Sequence, residues 1–196
     1  MKQADIIKQM SSKELMYQLM FTQLILFIIS IVLSFFLFDQ LSDWLTYFKF
    51  DGTEILLYGL IPGVLIVIID LVLMFFLPKR FFDDGGINEK VFKNRNIKEI
   101  FLIAFVVAIA EEMLFRGVIQ TTFGYVVASI IFALIHIRYL TKPVLLISVL
   151  IISFYIGYLF VLTENLFVTI IAHFIVDFLL GIVIQKKTWG DSFERT

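Results

Sequence analysis

The feature that most constrains this chain is a series of apolar segments, each long enough to cross a lipid bilayer. A crossing takes about 20 consecutive, mostly apolar residues. Such segments cover residues 15–38, 55–77, 100–137, 143–163 and 165–185, and the third is long enough for two spans with a turn between Thr121 and Gly124. The sequence therefore predicts one membrane domain over residues 1–196, an all-α, polytopic transmembrane helical bundle of about six spans.

The composition supports a membrane protein and excludes several other classes. The chain is 60% hydrophobic and 17% charged, whereas soluble domains are about 45–50% apolar and about 25% charged. A formal net charge of -1 without a separate basic stripe excludes a nucleic-acid partner, and the absence of Cys excludes disulfides and a cysteine nucleophile. The usage of Ile, Phe and Lys indicates an AT-rich bacterial genome. We therefore expect a multi-pass protein in the lipid bilayer of a bacterial cell membrane.

The basic residues predict the orientation of the spans. Lys and Arg collect in cytoplasmic loops of membrane proteins. Of the 16 basic residues, all except Lys49 and Arg116 lie in the N-terminal arm, the loops after the second and fourth spans, or the C-terminal tail. Six spans with both termini in the cytoplasm account for this distribution.

Seven ionisable residues fall inside the predicted spans. A charged side chain at the bilayer centre costs roughly 2.5–3.5 kcal/mol on insertion scales, so residues of this kind usually mark a functional site. The seven are Asp70, Glu111, Glu112, Arg116, His136, His173 and Asp177.

The third span combines an ion pair with a second acid. Glu112 and Arg116 are four residues apart, so they share a helix face and can pair. Glu111 points about 100° away from Glu112 and is free to face a cavity. The alternative is a purely structural ion pair between helices, but such a pair does not require the adjacent Glu111.

The two histidines lie on other spans. His173 and Asp177 are also four residues apart, and a carboxylate at this spacing can hold one imidazole nitrogen. Taken singly, either His173 or His136 could be only a hydrogen-bond donor between helices. Asp70 could line a substrate route or bond to a neighbouring helix.

The depth of His136 leads to one further expectation. Glu111 and His173 would each lie about 18 Å from the cytosolic surface at ~1.5 Å per residue, whereas His136 is only two residues before Arg138. We therefore expect the helix that carries His136 to continue past Arg138 toward Lys142. The alternative is that Arg138 extends its side chain back to the surface.

These side chains could hydrolyse an acyl bond in two ways. In one, Glu111, His136 and His173 hold a divalent metal, with zinc favoured by the nitrogen and oxygen ligands, and an open position holds a water. In the other, no metal is used. Glu111 then takes a proton from a water that His136 positions, and His173 with Asp177 stabilises the oxyanion.

Three motifs, in order along the chain and on three different spans, resemble those of a known family. Glu-Glu-x-x-x-Arg occurs at Glu111 to Arg116, Phe-x-x-x-His at Phe132 to His136, and His-x-x-x-Asp at His173 to Asp177. Together they resemble the CAAX protease and bacteriocin-processing enzyme (CPBP, or Abi) family of intramembrane proteases. The resemblance covers about residues 100–185, the predicted catalytic core spans.

The resemblance implies an intramembrane endopeptidase, or metalloendopeptidase, that cleaves a peptide or membrane-protein substrate. Bacterial members are linked with peptide maturation, bacteriocin processing and self-immunity. Asp177 stands where prenyl-protein proteases usually have Asn, and the family is described both as metal-dependent and as glutamate-dependent, so both chemistries stay open. The implied roles are the catalytic base for Glu111, its partner for His136, metal ligands or oxyanion donors for His173 and Asp177, and a supporting pair for Glu112 and Arg116.

Two other functions are compatible with the same residues. A non-catalytic membrane immunity or peptide-binding protein could keep the polar cluster for capturing a peptide. A proton-coupled transporter could use it as a proton relay, although the chain has no internal repeat of the kind found in many transporters.

Overall fold

The computed structural model describes residues 10–78 and 81–193, with side chains as far as Lys186. Over these residues the secondary structure consists of helices and their connections, with no strand. The predicted all-α class is therefore confirmed. The orientation prediction rests partly on Lys2, Lys8, Lys79, Arg80, Lys187 and Arg195, whose side chains lie outside the described residues, as do both termini.

The described part of the chain forms eight helices. One of them contains a π-helical segment, and another is continued by one. A π segment at Ile55–Leu60 lies inside α3, and a second at Met113–Gln120 continues α5 as far as the turn Thr121–Phe123. Short 3₁₀ turns occur at Leu41–Asp43 and Ile137–Tyr139. The helices are α1 (Ser12–Leu37), α2 (Trp44–Tyr47), α3 (Gly52–Phe76), α4 (Ile87–Phe92), α5 (Ile97–Glu112), α6 (Tyr125–Ile135), α7 (Pro143–Thr163) and α8 (Leu166–Phe193).

Four helices are long and apolar enough to cross a membrane. They are α1, α3, α7 and the Leu166–Lys186 part of α8. The helical segment 97–123 contains three charged residues near its middle, and α6 has only 11 residues. The chain is therefore an integral, multi-pass membrane protein, while the count of six spans and the side of the termini stay predictions.

Local sequence signals set the ends of the helices. Ser11 is the N-cap of α1 and Asn96 is the N-cap of α5, and each forms a reciprocal capping box with a glutamate three residues later. Between α5 and α6 the helix breaks at Gly124, whose φ of 90° is strained for residues with a side chain. This break confirms the turn that was predicted between Thr121 and Gly124.

Helix α8 lies at the centre of the bundle and packs against α5 and α3. Its contact with α3 depends on two glycines four residues apart on the α3 face. A Cβ atom at Gly63 would lie 2.9 Å from the carbonyl oxygen of Ala172, and one at Gly59 would lie 3.0 Å from that of Val168. The backbones of α3 and α8 can approach this closely because both positions are glycine.

Candidate active site

The acidic motif lies where α5 changes from α-helical to π-helical geometry. Glu111 and Glu112 end α5, and the π segment begins at Met113. Arg116 Nε lies 3.3 Å from Glu112 Oε2, and both side chains are fully buried. The predicted pair therefore forms. π-Helical turns occur frequently at functional sites.

The guanidinium of Arg116 is bound by its own π segment and by α7. It donates to the carbonyl oxygen of Ser153 at 3.1 Å, to Ser153 Oγ at 3.0 Å and to Gln120 Oε1 at 3.3 Å. Ser153 Oγ donates in turn to the carbonyl oxygen of Ser129 on α6. A Cβ atom at Gly157 would lie 2.9 Å from an Arg116 nitrogen, so this position needs glycine. The network holds the π segment, α6 and α7 together around the charge of Arg116, which Glu112 compensates.

Glu112 also binds His173, which α8 brings to the other side of its carboxylate. The distance from His173 Nδ1 to Glu112 Oε1 is 2.8 Å. Asp177, which the sequence suggested as the partner of this imidazole, lies farther away, with Oδ2 3.5 Å from His173 Nε2. The shorter contact comes from another helix, and helical spacing reveals only partners on the same helix. Glu112 therefore links Arg116 to His173.

Glu111 faces away from the Glu112–Arg116 pair, as its position on the helix predicted. Gln23 on α1 donates from Nε2 to Glu111 Oε1 at 3.0 Å. The other oxygen, Oε2, lies 4.0 Å from His173 Nε2 and, among the described residues, has no hydrogen-bond partner although it is buried. Gln23 was not identified from the sequence. The available signal was an amide side chain inside an uncharged apolar segment.

His136 is at the end of α6. The expectation that this helix continues past Arg138 is wrong, because α6 ends at Ile135 and a 3₁₀ turn follows. The imidazole Nδ1 contacts the Phe132 carbonyl oxygen at 2.8 Å, and the ring stacks on Tyr139. Arg138 turns toward Tyr139 and donates to its hydroxyl group at 2.8 Å.

The Phe132 ring links the two histidines. Its centroid is 4.9 Å from that of His136 and 6.0 Å from that of His173. The guanidinium carbon of Arg116 lies 5.4 Å from the same ring. Phe132 opens the Phe-x-x-x-His motif, and its ring contacts three polar residues of the site.

A single cavity connects the predicted residues. Its volume is about 1100 Å³, and α1, α3, α5, α6, α7 and α8 all contribute to its walls. Glu112 lies behind this wall, fully buried between Arg116 and His173. The wall residues that the sequence singled out are Asp70, Glu111, Arg116, His136, His173 and Asp177.

Comparisons with known proteins identify the family of the chain. The family model described as Type II CAAX prenyl endopeptidase Rce1-like matches residues 93–179, which include all three motifs. The chain is 42% identical over 156 residues to the uncharacterized protein YpbD of Bacillus subtilis (strain 168), covering 80% of this chain and 82% of that protein. No solved structure matches the chain. The family that the motifs resembled is thereby confirmed, and the chain belongs to the Rce1-like family of CAAX endopeptidases.

Proposed function

We propose that the protein is an intramembrane endopeptidase that hydrolyses a peptide bond with a water activated by Glu111. The observation that carries this proposal is the Oε2 atom of Glu111, which is buried and unpaired within the described residues and belongs to a side chain on the wall of the large cavity. A buried acceptor without a partner is costly unless a water or a substrate group donates to it. A carboxylate kept available in this way can act as a general base.

In the proposed reaction, Glu111 Oε2 takes a proton from water while the water oxygen bonds to the carbonyl carbon of the substrate. The carbonyl electrons move to its oxygen, which then needs donors. His173 presents Nε2 on the Glu111 side because Nδ1 is bound by Glu112, and Nε2 can donate to this oxygen when it is protonated. When the C–N bond breaks, Glu111 gives its proton to the leaving amine.

Two further residues of the cavity wall have supporting roles in this proposal. His136 has Nδ1 bound by the Phe132 carbonyl oxygen, which leaves Nε2 to position water or substrate. Asp177, with a side chain 33% exposed, lies beside His173 Nε2 and orients the imidazole on that side. The substrate is a peptide or membrane-protein segment that enters from the bilayer or its cytosolic face.

A divalent metal site needs at least three donor side chains around one point. Among the described side chains, in residues 10–78 and 81–186, no three His, Asp or Glu side chains are grouped in this way. His173 Nδ1 contacts Glu112 and His136 Nδ1 contacts its own helix, so each histidine has only Nε2 left as a metal donor. Because these donors are not grouped around one point, no step of the proposed reaction uses a metal.

The test is proteolysis by the purified protein in liposomes. The probe is a pool of synthetic apolar peptides, half of them carrying a farnesylated Cys followed by three C-terminal residues, and cleavage is measured by mass spectrometry. We expect Glu111→Gln to lower cleavage by at least ~100-fold, since general-base catalysis contributes typically 10²–10⁴-fold. Glu164→Gln is the matched control, because Glu164 is an exposed acid whose side chain is 71% accessible. Equal rates for the wild type and Glu111→Gln would overturn the proposal and favour the non-catalytic immunity or peptide-binding alternative.

A further inference from the structure

Helix α1 places a buried polar side chain against the proposed general base. Among the described residues of α1, the buried polar side chains are Gln23, Ser30 and Ser34. Ser30 and Ser34 donate to carbonyl oxygens of their own helix, at Phe27 and Ile31. Gln23, which is 3% exposed, instead crosses to α5 and donates to Glu111. Of these three, Gln23 alone binds another helix, and its partner is the proposed general base.

Two buried oxygens at this contact have no partner among the described residues. They are Gln23 Oε1 and Glu111 Oε2. Gln23 Oε1 belongs to the amide group that donates the hydrogen bond, and Glu111 Oε2 belongs to the carboxylate that accepts it, so the two oxygens lie on neighbouring groups. Both can only accept a hydrogen bond, because the oxygen of a side-chain amide and the oxygens of a carboxylate carry no hydrogen.

One water molecule can donate a hydrogen bond to each of these two oxygens. It has two O–H groups, and a buried water needs two to four polar partners. Gln23 and Glu111 both line the cavity of about 1100 Å³, which gives water a route to them. His173 Nε2, 4.0 Å from Glu111 Oε2, supplies a further polar group nearby.

We infer that Gln23 and Glu111 together bind the nucleophilic water, with Gln23 Oε1 accepting one O–H and Glu111 Oε2 the other. This inference rests on the proposed function. Glu111 takes the proton, whereas Gln23 only accepts a hydrogen bond and is not protonated during the reaction. Gln23 Nε2 also fixes the rotation of the carboxylate, so that Oε2 faces the cavity. Gln23 is thus a positioning residue, and it lies outside the region 93–179 that the family model matches.

The first test is kinetic and uses a peptide that the wild type cleaves in liposomes. Gln23→Met keeps the length of the side chain and removes both polar atoms. We expect kcat to fall by about 10–100-fold because the water is no longer oriented, with KM changed by less than about twofold because substrate contacts remain. Ser30→Ala is the matched control, since Ser30 is buried on the same helix and bonds only within it. A Gln23→Met enzyme with wild-type kcat would overturn the inference.

The second test needs no substrate and separates this inference from the proposed function. The carboxylate stretching band of Glu111 is identified by infrared spectroscopy as the band lost in Glu111→Gln. We expect Gln23→Met to shift this band and Ser30→Ala to leave it in place. An unshifted band would overturn the inference, even if the protein proves to be a protease. A shifted band in a protein that cleaves no peptide would support the Gln23–Glu111 contact while the proposed function fails. If Gln23→Met does not fold, Gln23→Leu decides in both tests.

Discussion

Arg116 illustrates what a single buried charge requires inside this bundle. Its side chain is fully buried, lies 3.3 Å from Glu112 Oε2 and donates to Ser153 and Gln120. Taking such a charge out of water is unfavourable, and only the surrounding acceptors offset the cost. The residue therefore depends on contacts from its own helix and from α7 together.

Replacing Arg116 with Met should destabilise the protein by about 3–5 kcal/mol, because the substitution leaves Glu112 as an uncompensated buried charge. Unfolding in mixed detergent and SDS micelles measures this change. Arg138→Met is the matched control, since Arg138 is exposed, and we expect it to change stability by less than about 1 kcal/mol. In the double variant Glu112→Gln with Arg116→Met, the loss should be smaller than the sum of the single losses. Additive losses would contradict the pairing.

The donor geometry also predicts how the purified protein responds to a chelator. No three His, Asp or Glu side chains are grouped as a metal site within the described residues. We therefore expect peptide cleavage in liposomes to retain more than about half of its rate after EDTA treatment, because the proposed reaction has no metal step. Elemental analysis of the same sample accompanies the assay. Loss of activity in EDTA with recovery on adding zinc would instead support the metal-assisted chemistry.

At the scale of helices, the site depends on how closely α8 approaches its neighbours. Helix α8 carries His173 and Asp177, and its contact with α3 passes over Gly59 and Gly63. In a membrane, helices associate through close packing because lipid is as apolar as the helix surfaces. A small increase in the distance between α3 and α8 would therefore move the imidazole relative to the acids of α5.

Gly63→Ala tests this packing. The added Cβ atom would lie 2.9 Å from the Ala172 carbonyl oxygen, so we expect a loss of stability of about 1–3 kcal/mol from overpacking. The control is Gly52→Ala in the first turn of α3, where an added Cβ has nothing within 4 Å. That variant should be neutral or more stable by up to about 1 kcal/mol. Equal melting temperatures for the two variants would show that the close approach does not limit the packing.

At the scale of the whole molecule, the loops separate into two groups that agree with the predicted orientation. Lys49 contacts Glu164 at 3.9 Å and accepts a hydrogen bond from Asn165, so the α2–α3 and α7–α8 connections lie at one end. At the other end, Asp83 contacts Lys142 at 3.7 Å, and Arg138 donates to Asn88. This grouping supports the six-span prediction, in which these pairs of loops lie on opposite sides of the membrane.

Single cysteines can test the topology directly, because the natural chain contains none. The positions Thr122, Glu164, Asn94 and Thr141 are all exposed in loops or helix ends. We expect Thr122→Cys and Glu164→Cys to react with a membrane-impermeant maleimide on intact cells. Asn94→Cys and Thr141→Cys should react only after the membrane is permeabilised, since basic loops face the cytoplasm. Labelling of Thr141→Cys on intact cells would refute the predicted orientation.

The sequence by itself determined the membrane location, the helical class and the contact between Glu112 and Arg116. Long apolar segments require helices in a bilayer, and two residues four apart on one helix meet regardless of the rest of the fold. Only the tertiary structure decided that Gln23 binds Glu111, that Glu112 holds His173, and that α6 ends before His136. Contacts between helices depend on how each helix is rotated against its neighbours. Hydrophobic periodicity does not encode this rotation here, because lipid and packed helices present equally apolar surroundings.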